Sequence, residues 1–194
     1  MSISFSSVPT LLLIDIQKGL DQWNYYGGNR NNPDAELNMA NILQYWRSNN
    51  WPLYHIKHNS TSVNSPLFPG QIGNEFKDEV MPVKGEIVIE KNVNSAFIGT
   101  DLLEKLIQAK ANELVIIGLT TDYCVSSTTR MAGNLGFEVK LISDATATFD
   151  KRGQNGKKYG AEDIHNIELA ILLEEFCKVC STKELLNGLN GNSF

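Results

Sequence analysis

Residues 113–124 read ELVIIGLTTDYC, from Glu113 to Cys124: an almost unbroken apolar run, then a polar corner that ends in a thiol. A run of this kind, too short for a helix of its own, is expected of a central parallel strand covered on both faces. Beyond the corner the pattern predicts a helix reaching Leu135-Gly136, with Gly136 at the position where a glycine ends a helix. Working outward, Thr10–Ile16 (TLLLIDI) is a second apolar strand. Pro33 is expected at the first position of a helix carrying Leu37, Ala40, Ile42, Leu43 and Trp46 and ending near Asn49–Asn50. Leu53–Lys57, Glu86–Glu90 and Phe137–Ser143 read as further strands, and a short one surrounds Val179. Thr100 is expected to cap a helix bearing Leu102, Leu103, Leu106 and Ile107; Ala161–Phe176 reads as an amphipathic helix, and another starts at Thr182. Between 58 and 86, Pro66, Pro69-Gly70, Gly73 and Pro82 mark a long loop of the kind that usually carries function. Alternating strands and helices predict an α/β chain with a parallel sheet and helices on both faces, a single domain over 1–194. Ligands of such folds sit outside the carboxyl ends of the strands.

Composition narrows the function classes. The chain has 194 residues, 42% hydrophobic and 20% charged, with 17 Lys and Arg against 22 Asp and Glu for a net charge of −5. That is globular composition, large enough to bury roughly 70% of the unfolded surface. An acidic chain without a basic run argues against nucleic-acid partners and against anionic membranes. Leu11–Ile14 is too short to span a bilayer and no export signal precedes it, so a cytoplasmic protein is expected. Three cysteines form no disulfide framework.

Three strand ends carry chemistry. Asp15 stands at the carboxyl end of the first strand, where a carboxylate either faces a site or must be paired. Lys91 ends the strand before it in IVIEKN, and its stem can lie along the same rim. Cys124 opens the helix after ELVIIGL, where orphan N–H groups and the helix dipole are expected to favour a thiolate. An acid, an amine and a thiol thus converge on one sheet edge, although each alone also has a structural explanation.

Asp15-x-Gln17, Lys91 and Gly118-Leu119-Thr120-Thr121-Asp122-Tyr123-Cys124-Val125 together resemble the isochorismatase-like cysteine hydrolases. The likeness extends over LLLIDIQKGL, SPLFPGQIG, GEIVIEKNVNSAFIGTDL, GLTTDYCVSSTTRMAGNLGFEV and SDATATFD. It implies a three-layer α/β/α, Rossmann-like fold around a six-stranded parallel sheet. It also implies a catalytic triad of Asp15 as general base, Lys91 as its cationic partner and Cys124 as nucleophile. A cis peptide is implied at Leu119–Thr120, with the amides of Thr120 and Cys124 forming an oxyanion hole. Activity on a small-molecule amide and a homo-oligomer, dimer or tetramer, follow from the same resemblance, with vinyl-ether hydrolysis of isochorismate as the alternative chemistry. His165 matches a histidine frequent among the relatives, as a buttress of the site or of an interface.

Gln17 from the motif, with the aromatic Trp23 and Phe97, is expected to line the substrate pocket; Tyr25 and Tyr26 lie in the same loop as Trp23. Family members that hold a metal carry an Asp-x-His motif after the second strand. Here the segment is His55-Ile56-Lys57-His58, and residues three apart on a strand face opposite ways. A metal-independent site is therefore expected. Cys177-Lys178-Val179-Cys180 follows a helix and enters a strand, the reverse of a redox motif, and reads as two structural thiols. No phosphate-binding glycine motif is present, so no nucleotide cofactor is expected.

Overall fold

A computed structural model describes residues 5–191. Six strands, β1 (Thr10–Ile14), β2 (Leu53–His58), β3 (Ile87–Lys91), β4 (Glu113–Leu119), β5 (Glu138–Ala147) and β8 (Lys178–Cys180), form one sheet in the order β3-β2-β1-β4-β5-β8. Every adjacent pair in it is parallel. A separate hairpin, β6 (Lys151–Arg152) and β7 (Lys158–Tyr159), lies between β5 and the next helix. The helices are α1 (Trp23–Tyr26), α2 (Ala35–Asn49), α3 (Leu102–Gln108), α4 (Ser126–Asn134), α5 (Ala161–Leu172) and α6 (Thr182–Asn190).

The strands are apolar without alternation because both faces are covered. Leu11 and Leu13 of β1 join Val115 and Ile117 of β4 in a core roofed by Met39, Ile42, Leu43 and Trp46 of α2 and Leu185 and Leu189 of α6. Leu12 and Ile14, with Leu114 and Ile116, pack the opposite way on Leu102 and Leu106 of α3, Ala132 of α4, and Leu169 and Leu172 of α5. The result is three layers, α/β/α. Both CxxC thiols are buried, Cys180 in the first core and Cys177 in the second, so the sheet itself lies between them. The one charged residue of β4, Glu113, is neutralised by Lys140 Nζ at 2.6 Å and by Ser6 Oγ at 2.7 Å.

Element ends shift from the sequence expectation. Pro33 lies ahead of α2, whose N-cap is Asp34, and α3 is entered through Asp101, with Thr100 Oγ1 accepting only a long hydrogen bond from Leu102 N. Helix α5 stops at Leu172 because the chain turns extended at Leu173 and left-handed at Glu174. Strand β5 outruns its expected end. Its pairing with β4 jumps from Ile116↔Leu141 to Gly118↔Thr146, so a bulge carries the strand on through Ala147.

Gly118 brings β4 into close approach with β1 at Ile14. Its φ is +129°, and a Cβ there would lie 2.1 Å from the Ile14 carbonyl oxygen. Gly118→Ala is expected to destabilise the protein by on the order of 3 kcal/mol, from overpacking plus a backbone angle that L-residues avoid. Urea denaturation measures this, and a loss below about 1 kcal/mol would show that β1 yields to the methyl group.

Candidate active site

The chain leaves β1 through Asp15, whose φ of +49° turns the backbone sharply at the sheet edge. Aspartate tolerates this left-handed region better than most residues. Its carboxylate is 2% exposed. Lys91, the last residue of β3, reaches across the end of β2, with a fully buried side chain whose Nζ lies 2.5 Å from Asp15 Oδ2. The residue it passes over is its register partner on β2, His58. Lys91 Nζ is 3.1 Å from His58 Nδ1.

Cys124 arrives from the other side, on the turn after β4. The Leu119–Thr120 peptide is cis, and Thr121–Val125 forms a single wide π-helical turn ahead of α4. The Thr120 carbonyl accepts from Tyr123 N at 3.1 Å and from Val125 N at 3.3 Å. Candidate ligating atoms of Asp15, His58 and Cys124 all lie within 4.8 Å of one another. One carboxylate oxygen, Asp15 Oδ2, is held by Lys91; the other, Oδ1, is buried without a hydrogen-bond partner among the described residues. Asp15, Lys91 and Cys124 are therefore brought together, with His58 among them.

The thiol is not activated in the resting state. Burial pushes the Cys124 thiol up, the Asp15 carboxylate adds to this, and Lys91 opposes both without overcoming them. Cys124 also sits within the π turn rather than at the first free N–H groups of α4. The sequence expectation of a favoured thiolate is thus reversed, since burial and the Asp15 carboxylate both favour the thiol. Iodoacetamide should alkylate Cys124 more slowly at pH 7 than it alkylates free cysteine, with a profile that rises only in the alkaline range. Lys91→Met should move that profile higher still. Mass spectrometry of the labelled peptide checks this, and rapid labelling below pH 7 would contradict it.

A cavity of about 200 Å³ opens on these groups. Tyr25, Tyr26 and Tyr123 supply aromatic walls, Leu20, Leu67 and Leu119 aliphatic ones, and Ser65 and Asn94 polar edges. Tyr26 is stacked on Phe149 at 5.2 Å, and its buried hydroxyl has no protein partner. Burial first, then the neighbouring Tyr25, Cys124 and Asp15, hold that phenol protonated as a hydrogen-bond donor. Thr120 lines the cavity as well, and its Oγ1 is likewise unpartnered.

The three residues expected to line a substrate pocket stand elsewhere. Gln17 is fully buried with its amide committed, Nε2 donating to the carbonyls of His58 and Asn74 and Oε1 accepting from His58 N at 2.8 Å. It fixes the end of β2. Trp23 is 45% exposed and outside the cavity, and Phe97 stacks on Phe137 at 6.2 Å against the second core. His165 buttresses the turn that carries Cys124 from behind, its Nδ1 2.9 Å from Thr121 Oγ1. His55 faces away from the site, 2.8 Å from Glu86, as the strand alternation required. His58 is the site residue that the sequence reading passed over; its signal was register, the same strand end as Lys91.

Asp15, His58 and Cys124 offer one oxygen, one nitrogen and one sulfur donor, a mixed set of the kind that can hold a borderline metal such as zinc. The Lys91 ammonium, however, already occupies an oxygen of Asp15 and the Nδ1 of His58, so a cation would have to displace it. No helix among the described residues is long and apolar enough to cross a membrane.

Known proteins resemble this chain along most of its length. Residues 9–183 match the Isochorismatase domain family. The chain is 46% identical over 177 residues to the uncharacterized isochorismatase family protein YrdC of Bacillus subtilis, covering 91% of this chain and 94% of that protein. It is 28% identical over 171 residues to nicotinamidase 3 of Arabidopsis thaliana, 80% of this chain and 79% of that one. A crystal structure from Chromobacterium violaceum, described as a hydrolase of the isochorismatase family, superposes with a TM-score of 0.95 at 45% identity over 99% of both chains.

Proposed function

The chain belongs to the isochorismatase family, and from that premise we propose that it is a metal-independent cysteine hydrolase that cleaves a C–N amide-type bond of a small molecule through a thioester. The observation that carries this reading is the state of Asp15, whose carboxylate lies near the thiol with one oxygen pinned by Lys91 and the other buried and unpartnered among the described residues. As Sγ of Cys124 bonds to the amide carbon, Asp15 Oδ1 takes the thiol proton. The carbonyl oxygen becomes an oxyanion that the Thr120 and Cys124 amides are assigned to hold. Collapse breaks the C–N bond, and Asp15 returns the proton to the leaving nitrogen. Water, deprotonated by the same carboxylate, then attacks the thioester; the C–S bond breaks, the acid leaves and Cys124 regains its proton. A resting thiol suits this sequence, because the proton needed by the leaving amine is already stored in the site.

The cavity also bears on the alternative chemistry. No Arg or Lys is among its lining residues, whereas isochorismate brings two carboxylates that would need counter-charges. Aromatic walls and the Tyr26 hydroxyl favour an uncharged, flat amide. A panel of nicotinamide, carbamoyl, ureido and lactam amides, with isochorismate included, tests the reading. Turnover of an amide, a mass adduct on Cys124 with the matching aldehyde, and activity unchanged by EDTA are expected. Turnover of isochorismate alone, or loss with EDTA restored by zinc or iron, would overturn it.

A further inference from the structure

His58 lies outside the motifs that define the triad, yet it makes the second hydrogen bond of the catalytic lysine. A protonated lysine has donors and no acceptor, so the nitrogen 3.1 Å from Lys91 Nζ must be the acceptor. That fixes His58 as neutral with Nδ1 bare and the proton on Nε2. Its backbone is equally constrained: Gln17 brackets the residue through both N and O, and Asn74 Nδ2 donates to the same carbonyl at 3.0 Å. A buried amide pair is thus spent on holding one imidazole against one ammonium.

We propose that His58 is a positioning residue: by accepting from Lys91 it keeps the ammonium on Asp15 Oδ2, which leaves Oδ1 free for the thiol, and protonation of His58 abolishes that arrangement. A protonated ring would present a donor and a second positive charge to Lys91 and would push it from its seat. The groups that face the ring are Lys91 on β3, Asp15 at the end of β1, Cys124 on the nucleophile turn and the Val93 carbonyl, with Tyr25 and Tyr26 across the cavity. Burial and then Lys91 disfavour the charged ring, while Asp15 and Val93 favour it more weakly. The active, neutral form therefore persists below the ordinary histidine range and is lost as the pH falls further. The hydrogen bond stands on the geometry alone; its consequence for turnover rests on the amide-hydrolase reading.

Two measurements separate those parts. Long-range ¹H–¹⁵N spectra of histidine-labelled protein resolve the three histidines, His58 being identified by its loss in His58→Asn. The Nε2–H tautomer is expected at pH 7, titrating below the ordinary range and moving upward in Lys91→Met. A proton on Nδ1 in wild type overturns the proposal whether or not the lysine variant folds. On the amide that the panel identifies, His58→Ala should lower kcat about tenfold, the worth of one charge-assisted hydrogen bond, with KM changed less than about twofold. His58→Asn, whose amide oxygen can stand in for Nδ1 without titrating, should restore most of kcat and shift its acid limb to lower pH. An asparagine variant no better than alanine, or an unmoved acid limb, overturns the positioning role. If no amide is turned over, the hydrolase reading fails and the tautomer alone decides on His58.

Discussion

Cys124→Ala is expected to lower amide turnover by about 10⁴-fold or more, because the covalent route ends with the thiol and no other nucleophile replaces it. The fold should survive. The turn is held by the Thr120 carbonyl and, from behind, by the His165–Thr121 contact, and the sulfur's hydrogen bond to Asn94 Oδ1 is long, at 3.8 Å. Losing one sulfur from a site 9% exposed costs about 1 kcal/mol and a shift of about 2–4 °C in a chain this size. Turnover within tenfold of wild type would remove Cys124 as nucleophile. A much larger fall in melting temperature would recast it as a core residue.

Asp15→Asn should disable the site and weaken the protein together. Asparagine accepts the left-handed backbone at this position, so the geometry can persist while the base is lost. Turnover is expected to fall about 10³-fold, within the range for general bases. The substitution also leaves the fully buried Lys91 ammonium without its counter-charge, which costs about 3–5 kcal/mol when one partner of a buried pair is removed. Asp15 is one of the two influences that raise the Cys124 thiol, so alkylation of the variant should begin at lower pH than in wild type. Urea denaturation, kinetics and labelling give three independent readouts. A variant as stable as wild type would mean that Lys91 is neutralised in some other way.

What could be read from the sequence follows from what each residue faces. β1 and β4 were legible because residues such as Leu12, Leu13, Ile116 and Ile117 are buried on both faces of the sheet and need no alternation. Asp15 and Lys91 stood out as charges at the ends of such runs. Gln17 misled because a polar residue beside a catalytic acid is equally suited to touch substrate or to saturate backbone, and only the fold distinguishes the two. Phe97 and Trp23 misled for a related reason: aromatic character predicts contact area, not its partner. His58 was hidden because the comparison was made along its own strand, with His55, whereas its partner lies across the sheet on β3. The bulge in β5 has no composition signal of its own, since it arises where β4 and β5 fall out of step, and the π turn at Cys124 has none either.

Strand β3 is an edge of the sheet, with Ile87 and Val88 each about 40% exposed and only β2 beside it. Edge strands are the first to exchange their amide protons through local opening. Here the strand ends in a lysine whose charge is sealed against Asp15, so peeling β3 away also means pulling apart a buried ion pair. On the proposed roles of Asp15 and Lys91, activity and the integrity of the sheet margin share a single opening reaction, and turnover doubles as a gauge of whether the outermost strand is closed.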